Sequence, residues 1–291
     1  MKKSKKMITL GRLALFLAAL FWGVSFVLMK NVLGTLPPFH ILTIRFGGAA
    51  LILLPFCIGK KIDKAYLVSG LMMGAALFMA YSTQTHGLRY TTPGKSAFLT
   101  SVYCIIVPFL YWLFMKRRPD RFNAIAAFVC FTGIGLISVD SNLHINIGDM
   151  LTLGGGFFYA MHIVTTSRVI EGRNPVILAM LQFATVGTLA FLGALIFEQT
   201  PAAVSAADVW SLVFLMVVCT TGCLSLQAFG QKYTPPSQAS IILTLESVLG
   251  ALTSVILMYE ILSVRLVIGF ALTFTAVIIS EAKPGFLGKK T

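Results

Sequence analysis

Residues 82–93 read STQTHGLRYTTP, and residues 225–236 read SLQAFGQKYTPP. Six of the twelve aligned positions are identical. A second register, offset by 137 residues, pairs Trp22 with Tyr159 and aligns further glycines and prolines. Both matches occur in the same order along the chain, which predicts two related halves.

The repeat lies in a chain dominated by apolar segments, with 57% hydrophobic and 11% charged residues. Soluble domains carry about 25% charged residues, so a soluble globule of this size could not bury so much apolar surface. Roughly 20 apolar residues suffice to cross a bilayer as a helix, and short turns rich in Pro, Gly and Lys separate such runs here. The candidate spans have the approximate limits 11–32, 39–58, 66–88, 95–115, 122–139, 148–169, 176–197, 209–230, 236–258 and 264–282.

Ten spans divide into five for residues 1–143 and five for residues 144–291. Because five is an odd number, the two halves must cross the membrane in opposite directions. Inverted repeats of this kind are typical of secondary transporters, whose binding sites lie near the midplane between the halves. We therefore predict an all-α membrane protein with ten transmembrane helices in two inverted five-helix repeats around a central cavity.

The charges predict an orientation. Eighteen of the 23 lysines and arginines fall in segments on one side of the predicted membrane, four fall on the other side, and Arg45 lies inside a span. Basic residues accumulate on the cytoplasmic side, so we predict a multi-pass protein of the cell membrane with both termini in the cytoplasm. The net charge of +13 is scattered between apolar runs rather than gathered on one face, which argues against a nucleic-acid partner.

Four stretches of the chain carry family-like motifs: ALFWGVSF at 19–26, TIRF at 43–46, TTPGKSAFLTSVYCIIVPFL at 91–110 and ASIILTLESVLG at 239–250. In this order and spacing they resemble the EamA family of the drug/metabolite transporter superfamily. The resemblance covers essentially the whole chain in two copies. It implies ten helices with a central cavity, and an exporter of amino acids, other metabolites or toxic compounds.

One departure from the family pattern bears on helix shape. The family often has Glu-Pro in the ninth helix, where this chain has Glu246-Ser247. The fourth helix contains Pro108, whereas the matching residue of the ninth helix is Ala251. Proline kinks helices, so we expect the two helices to bend differently.

The repeat and the resemblance together predict a secondary transporter that moves small metabolites, such as amino acids, across the cytoplasmic membrane by alternating access, as an exporter. No ATPase motif or phosphate loop is present, so no cofactor is expected and gradients must drive transport, with protons as one possible coupling ion. An intramembrane enzyme built from distant helices and a passive channel stay open as alternatives. In membrane lipid, a monomer is sufficient, because the symmetry is internal.

Two ionisable residues inside predicted spans are the first candidates for the binding site. Arg45 lies about two turns into the second helix, and Glu246 lies near the middle of the ninth. Charges at these depths cost about 2.5–3.5 kcal/mol to insert, which favours a functional role. They could pair, bind opposite ends of a zwitterion, or serve as structural anchors, and Glu246 could also carry a proton.

Polar and aromatic residues near the membrane midplane complete the candidates. Gln84 and Gln227 are repeat mates and predict polar points at opposite mouths of one cavity, although helix–helix hydrogen bonds would explain them equally. Tryptophan and tyrosine favour the membrane interface, so midplane examples suggest a cavity lining, with aromatic packing as the alternative. The remaining cavity candidates, which include one imidazole, are Trp22, Tyr81, Tyr103, Tyr159 and His162.

Overall fold

A computed structural model describes residues 5–116, 118–138, 146–199, 201, 204–258 and 263–282. Within these ranges, every regular element is helical and none is a strand. The helices are α1 (Lys5–Val32), α2 (Pro38–Cys57), α3 (Lys64–Tyr90), α4 (Pro93–Thr100 and Tyr103–Met115), α5 (Arg121–Ser138), α6 (Ile147–Val169), α7 (Pro175–Phe197), α8 (Ala206–Tyr233), α9 (Pro236–Met258) and α10 (Val264–Ala282).

The helices α1 to α8 are each long and apolar enough to cross a membrane. The last two helices carry shorter apolar stretches, at Ile242–Leu257 and Val264–Ile279. The chain is therefore an all-α, multi-pass membrane protein. Ten complete crossings stay a prediction, because that count depends on α9 and α10.

Polar residues at the predicted turns begin several of these helices. Asp63 accepts a hydrogen bond from the backbone N–H of Tyr66 at the start of α3. Thr92, Asn146 and Asn174 cap α4, α6 and α7 in the same manner. Such caps satisfy backbone N–H groups that have no partner within the helix, which fixes where each helix starts.

Two helices contain π-helical turns that face each other in the bundle. One covers Thr43–Gly47 in α2, and the other covers Leu215–Gly222 in α8. The two turns are in contact, and the side chain of Met216 packs against the backbone of Gly48. A π-turn adds a residue to the helical turn and rotates the side chains that follow it, a feature common at functional sites.

The fourth and ninth helices differ in continuity, whereas the sequence predicts a difference in bending at Pro108. The fourth helix is interrupted at Ser101 and Val102, whereas α9 is continuous from Pro236 to Met258. The Ser101 hydroxyl donates to the carbonyl oxygen of Phe98 at 2.7 Å across the interruption. The break nevertheless lies about two turns before Pro108 rather than at the proline itself.

Helix backbones approach closely at two glycine crossings that join the two halves of the chain. At the first, a Cβ on Gly230 of α8 would lie 2.8 Å from the carbonyl oxygen of Gly11 in α1. At the second, a Cβ on Gly87 of α3 would lie 2.7 Å from the carbonyl oxygen of Gly148 in α6. Glycine is required at both places, since a side chain would collide with the facing backbone.

Polar contacts surround each crossing, and we call the two regions the α1 junction and the α6 junction. In the α1 junction, Arg12 donates to the amide oxygen of Gln238 at 3.0 Å. In the α6 junction, the Thr91 hydroxyl donates to Asp149, and Lys95 Nζ lies 3.6 Å from the other carboxylate oxygen. The two junctions lie at opposite ends of α1. Arg12, near the start of α1, belongs to the α1 junction. Lys30, near the other end of α1, donates to carbonyl oxygens at the end of α3, beside the α6 junction.

Candidate functional site

A cavity lies at the centre of the bundle. It is lined by at least two residues each of α1, α3, α6 and α9 and by one residue each of α2, α4 and α8. Its volume is about 40 Å³, which is space for about three water molecules, so a metabolite would have to displace side chains to enter. Eight of the nine residues predicted as cavity candidates line it. They are Trp22, Arg45, Tyr81, Gln84, Tyr103, Tyr159, Gln227 and Glu246.

Arg45 is held in the cavity wall by the π-turn of α2. Its side chain is only 2% exposed, and Nε donates to the hydroxyl of Thr220 at 3.1 Å. The guanidinium carbon lies 5.1 Å from the ring centroid of Tyr81, within range of a cation–π interaction. The described residues place no carboxylate within ion-pair distance of Arg45. Its Nη1 donates a long hydrogen bond to the Met29 sulfur at 3.8 Å, and the other N–H groups of Nη1 and Nη2 are available to an anionic group in the cavity.

Glu246 occupies the wall formed by α9. It is 6% exposed, and Tyr103 donates a hydrogen bond to its Oε1 at 3.2 Å. Within the described part of the chain, no lysine, arginine or histidine forms an ion pair with it. The cavity therefore contains one cationic and one acidic side chain that do not neutralise each other by direct contact.

A cluster of tyrosines connects these two groups around the cavity. The Tyr159 ring packs edge-on against Tyr81 at 5.3 Å and against Tyr103 at 6.4 Å between centroids. Its hydroxyl donates to Oε1 of Gln84 at 2.9 Å, and Nε2 of Gln84 donates to Thr100 at 2.9 Å. This network fixes the side chains and leaves the cavity wall mainly aromatic with a few polar points, as in many small-molecule sites.

The other two polar candidates differ in how fully they are bonded. The indole N–H of Trp22 donates to the carbonyl oxygen of Cys219 at 2.7 Å. The side chain of Gln227 lines the cavity, and within the described ranges it has no hydrogen-bond partner in the protein. Gln84, its repeat mate, is bonded at both ends, so Gln227 has more hydrogen-bonding capacity left for a ligand.

Comparison with known protein families identifies this architecture. The sequence matches the EamA-like transporter family twice, over residues 9–139 and residues 146–281. The chain belongs to this family. The EamA-like family is part of the drug/metabolite transporter superfamily, so the resemblance seen in the sequence motifs is confirmed.

Individual relatives agree with the family assignment. An uncharacterized transporter of Archaeoglobus fulgidus is 34% identical over 267 residues, which cover 92% of this chain and 84% of that protein. The uncharacterized transporter YvbV of Bacillus subtilis is 27% identical over 295 residues, covering 96% of this chain and 94% of YvbV. One solved crystal structure shares the fold with a TM-score of 0.73 at 15% identity, covering 96% of this chain and 99% of that one. The protein is thus a membrane transporter.

His162 does not line the cavity of this EamA-like transporter, contrary to the sequence prediction. Its Nε2 is 2.8 Å from Oε1 of Gln182 on α7, and the side chain is buried between the two helices. The reason is helical geometry: residues three and four after Tyr159 diverge by about 100° around the helix axis. Ile163, the fourth residue after Tyr159, lines the cavity, whereas His162, the third, faces α7.

Some cavity features of the EamA-like transporter were not predicted. Thr220 orients Arg45, and Thr100 orients Gln84, but neither residue differs in the sequence from other threonines in apolar helices. The sulfur of Met29 lies 3.8 Å from Nη1 of Arg45. The one signal in the sequence that could have indicated Thr220 was its position, because it lies in the same helix as the cavity candidate Gln227.

The described residues contain no group of three His, Cys, Asp or Glu side chains that could hold a metal ion. The five cysteines, spread over several helices, are buried and unpaired with one another. The arrangement can thus bind a molecule through one cation, one carboxyl group, amides and aromatic faces.

Proposed function

We propose that this protein is a secondary transporter that exports small zwitterionic metabolites, amino acids or closely related compounds, in exchange for protons. The observation that carries the proposal is the central cavity, in which Arg45 and Glu246 face a common space without a direct ion pair. Export, rather than uptake, is favoured by the EamA resemblance.

The two charged groups suit the two ends of a zwitterion. Arg45 supplies guanidinium N–H groups for a carboxylate, and the Tyr103–Glu246 pair supplies a carboxyl group for an ammonium. Both are buried, where charge-assisted hydrogen bonds are stronger than in water. The tyrosine faces between them would contact an apolar or cationic part of the substrate.

A single carboxyl group in the cavity could also couple the transport of substrate to the movement of protons. Of the residues that the structure describes, Glu246 is the one acidic residue lining the cavity. Its carboxylate can neutralise either a proton or the ammonium of a substrate, and binding one removes the site for the other. If the transporter changes state only with one of them bound, the inward flow of protons drives the outward flow of substrate.

The finer architecture that we propose is ten crossings in two inverted repeats, residues 1–143 and 144–291. Its support is that the two junctions are built from repeat mates. Gly11 and Gly230 in one junction correspond to Gly148 and Gly87 in the other. The polar pairs correspond in the same way, since the repeat offsets align Arg12 and Gln238 with the residues Asp149 and Lys95.

This correspondence supports alternating access. Each junction joins a helix of one half to helices of the other half, and the two lie at opposite ends of the bundle. Opening one junction would admit substrate to the cavity from that end while the other stays closed. We further propose that the α1 junction faces the cytoplasm with both termini, which the distribution of basic residues supports.

The function is tested by transport in proteoliposomes with the purified protein. We expect saturable counterflow of at least one zwitterionic amino acid from a broad panel. The decarboxylated amine and the N-acetylated acid of the same compound, each lacking one charge, should compete at least tenfold more weakly. Absence of saturable flux for every compound would reject the transporter proposal. If both analogues compete as strongly as the amino acid itself, the zwitterion site is rejected.

Cross-linking each junction is expected to stop transport. The pairs Arg12→Cys with Gln238→Cys, and Lys95→Cys with Asp149→Cys, occupy corresponding positions at the two ends. A flexible thiol-reactive cross-linker joining either pair should hold that end closed, because the pair links the two halves. Counterflow before and after cross-linker cleavage measures the effect, and we expect a loss of more than tenfold that cleavage restores.

The four single cysteine variants, treated with the same reagent, are the matched controls and should retain transport. The native cysteines are buried, which limits background reaction. Full transport with either junction cross-linked would contradict alternating access between these two halves.

A further inference from the structure

A groove on the outside of the bundle has no part in the proposed transport cycle. It lies between α3 and α6, and its volume is about 670 Å³, within the usual range for small-molecule sites. None of the residues that line it also lines the central cavity. Its walls are formed mainly by methionine, alanine, valine and phenylalanine side chains, so the groove faces the region of the lipid chains.

The length of the groove fits one leaflet of a bilayer. Along α3 it extends from Ser69 to Met79, and along α6 from Phe158 to Arg168. Ten residues of helix measure about 15 Å. The hydrocarbon core of a bilayer is about 30 Å thick, so the groove covers about half of it.

One end of the groove is strongly basic. Arg168 near the end of α6 and Arg173 just beyond that end line it, and the Arg168 guanidinium lies 5.7 Å from the ring centroid of Phe114 of α4, which also lines the groove. Arg173 donates one N–H to the carbonyl oxygen of Val169. Neither arginine forms an ion pair within the described ranges, and the nearby Glu171 does not line the groove.

We propose that this groove is a binding site for an anionic phospholipid. An acyl chain occupies the apolar groove between α3 and α6, and the phosphodiester lies at the basic end. Arginine forms paired hydrogen bonds with phosphate oxygens, and two uncompensated cations at headgroup depth favour a lipid with net negative charge. The methionines at the groove walls adapt to a flexible chain.

The site is tested by native mass spectrometry of the purified protein with equal amounts of phosphatidylglycerol and phosphatidylcholine that have the same acyl chains. We expect about fivefold more bound phosphatidylglycerol, because only its headgroup leaves the phosphate charge unbalanced. In Arg168→Gln the ratio should fall towards one. Lys61→Gln, at an exposed basic residue outside the groove and at the same end of the bundle, should keep the wild-type ratio.

A second variant tests the chain-binding part with both arginines intact. Ala75 lines the groove and is exposed, so Ala75→Trp should fill the groove and lower bound phosphatidylglycerol at least threefold. Equal retention of the two lipids by the wild type would overturn the proposal. So would equal losses in Arg168→Gln and Lys61→Gln, or unchanged lipid binding in Ala75→Trp. These measurements do not depend on transport, so they can fail while the proposed function holds.

Discussion

Arg45→Gln is expected to raise the KM for a zwitterionic substrate by about ten- to a hundredfold. A hydrogen bond to a charged group contributes about 1.5–3 kcal/mol, and each 1.4 kcal/mol corresponds to a factor of ten. Among the described residues, Arg45 is the one basic residue that lines the cavity, and Thr220 is the one hydroxyl group to which its guanidinium donates. Glutamine keeps a polar side chain but cannot supply the charge. Counterflow kinetics in proteoliposomes measure the change.

The decarboxylated amine provides the specific control for this prediction. It lacks the group that Arg45 is proposed to bind, so its weak competition should be nearly the same in Arg45→Gln and the wild type. Thr220→Val keeps the charge and removes the acceptor that orients it, and should raise KM by a smaller factor of about three to ten. If Arg45→Gln leaves KM unchanged and lowers only thermal stability, Arg45 is a structural anchor.

The helices were predictable because the bilayer imposes a simple rule on sequence. Each of the candidate apolar runs is helical in the structure, and the turns fall at the proline- and glycine-containing separators. Local signals such as Asp63 and Asn174 act within a few residues of the helix they begin. The interruption of α4 was less predictable, since it does not coincide with Pro108.

A residue that lines the cavity could be predicted from the sequence if it belonged to a repeat pair or if it was a charged residue within an apolar run. Arg45 and Glu246 stood out as charges within apolar runs, and Gln84 and Gln227 stood out as repeat mates. Their partners were not predictable, because the Arg45–Thr220 contact joins residues 175 positions apart. The π-turns that bring these helices together leave no mark on apolar periodicity, since the side chains on both sides of each turn are apolar.

Glu246→Gln is expected to abolish the response of transport to a proton gradient. Glutamine has nearly the same shape as glutamate and can still accept a hydrogen bond from Tyr103, but it cannot take up or release a proton. Counterflow, which needs only exchange of substrate for substrate, should persist with a raised KM because the ammonium loses its carboxylate. Efflux driven by an imposed pH difference should fall at least tenfold, to the rate measured without the gradient.

Tyr103→Phe separates the proton-binding group from its hydrogen bond. This variant removes the donor to Oε1 and leaves the carboxyl group of Glu246 in place, so efflux should still increase when a pH difference is imposed. Loss of the gradient response in both variants would point to the geometry of the site rather than to the carboxyl group. An unchanged gradient response in Glu246→Gln would remove Glu246 as the coupling residue, because no other acidic side chain lines the cavity within the described part of the chain.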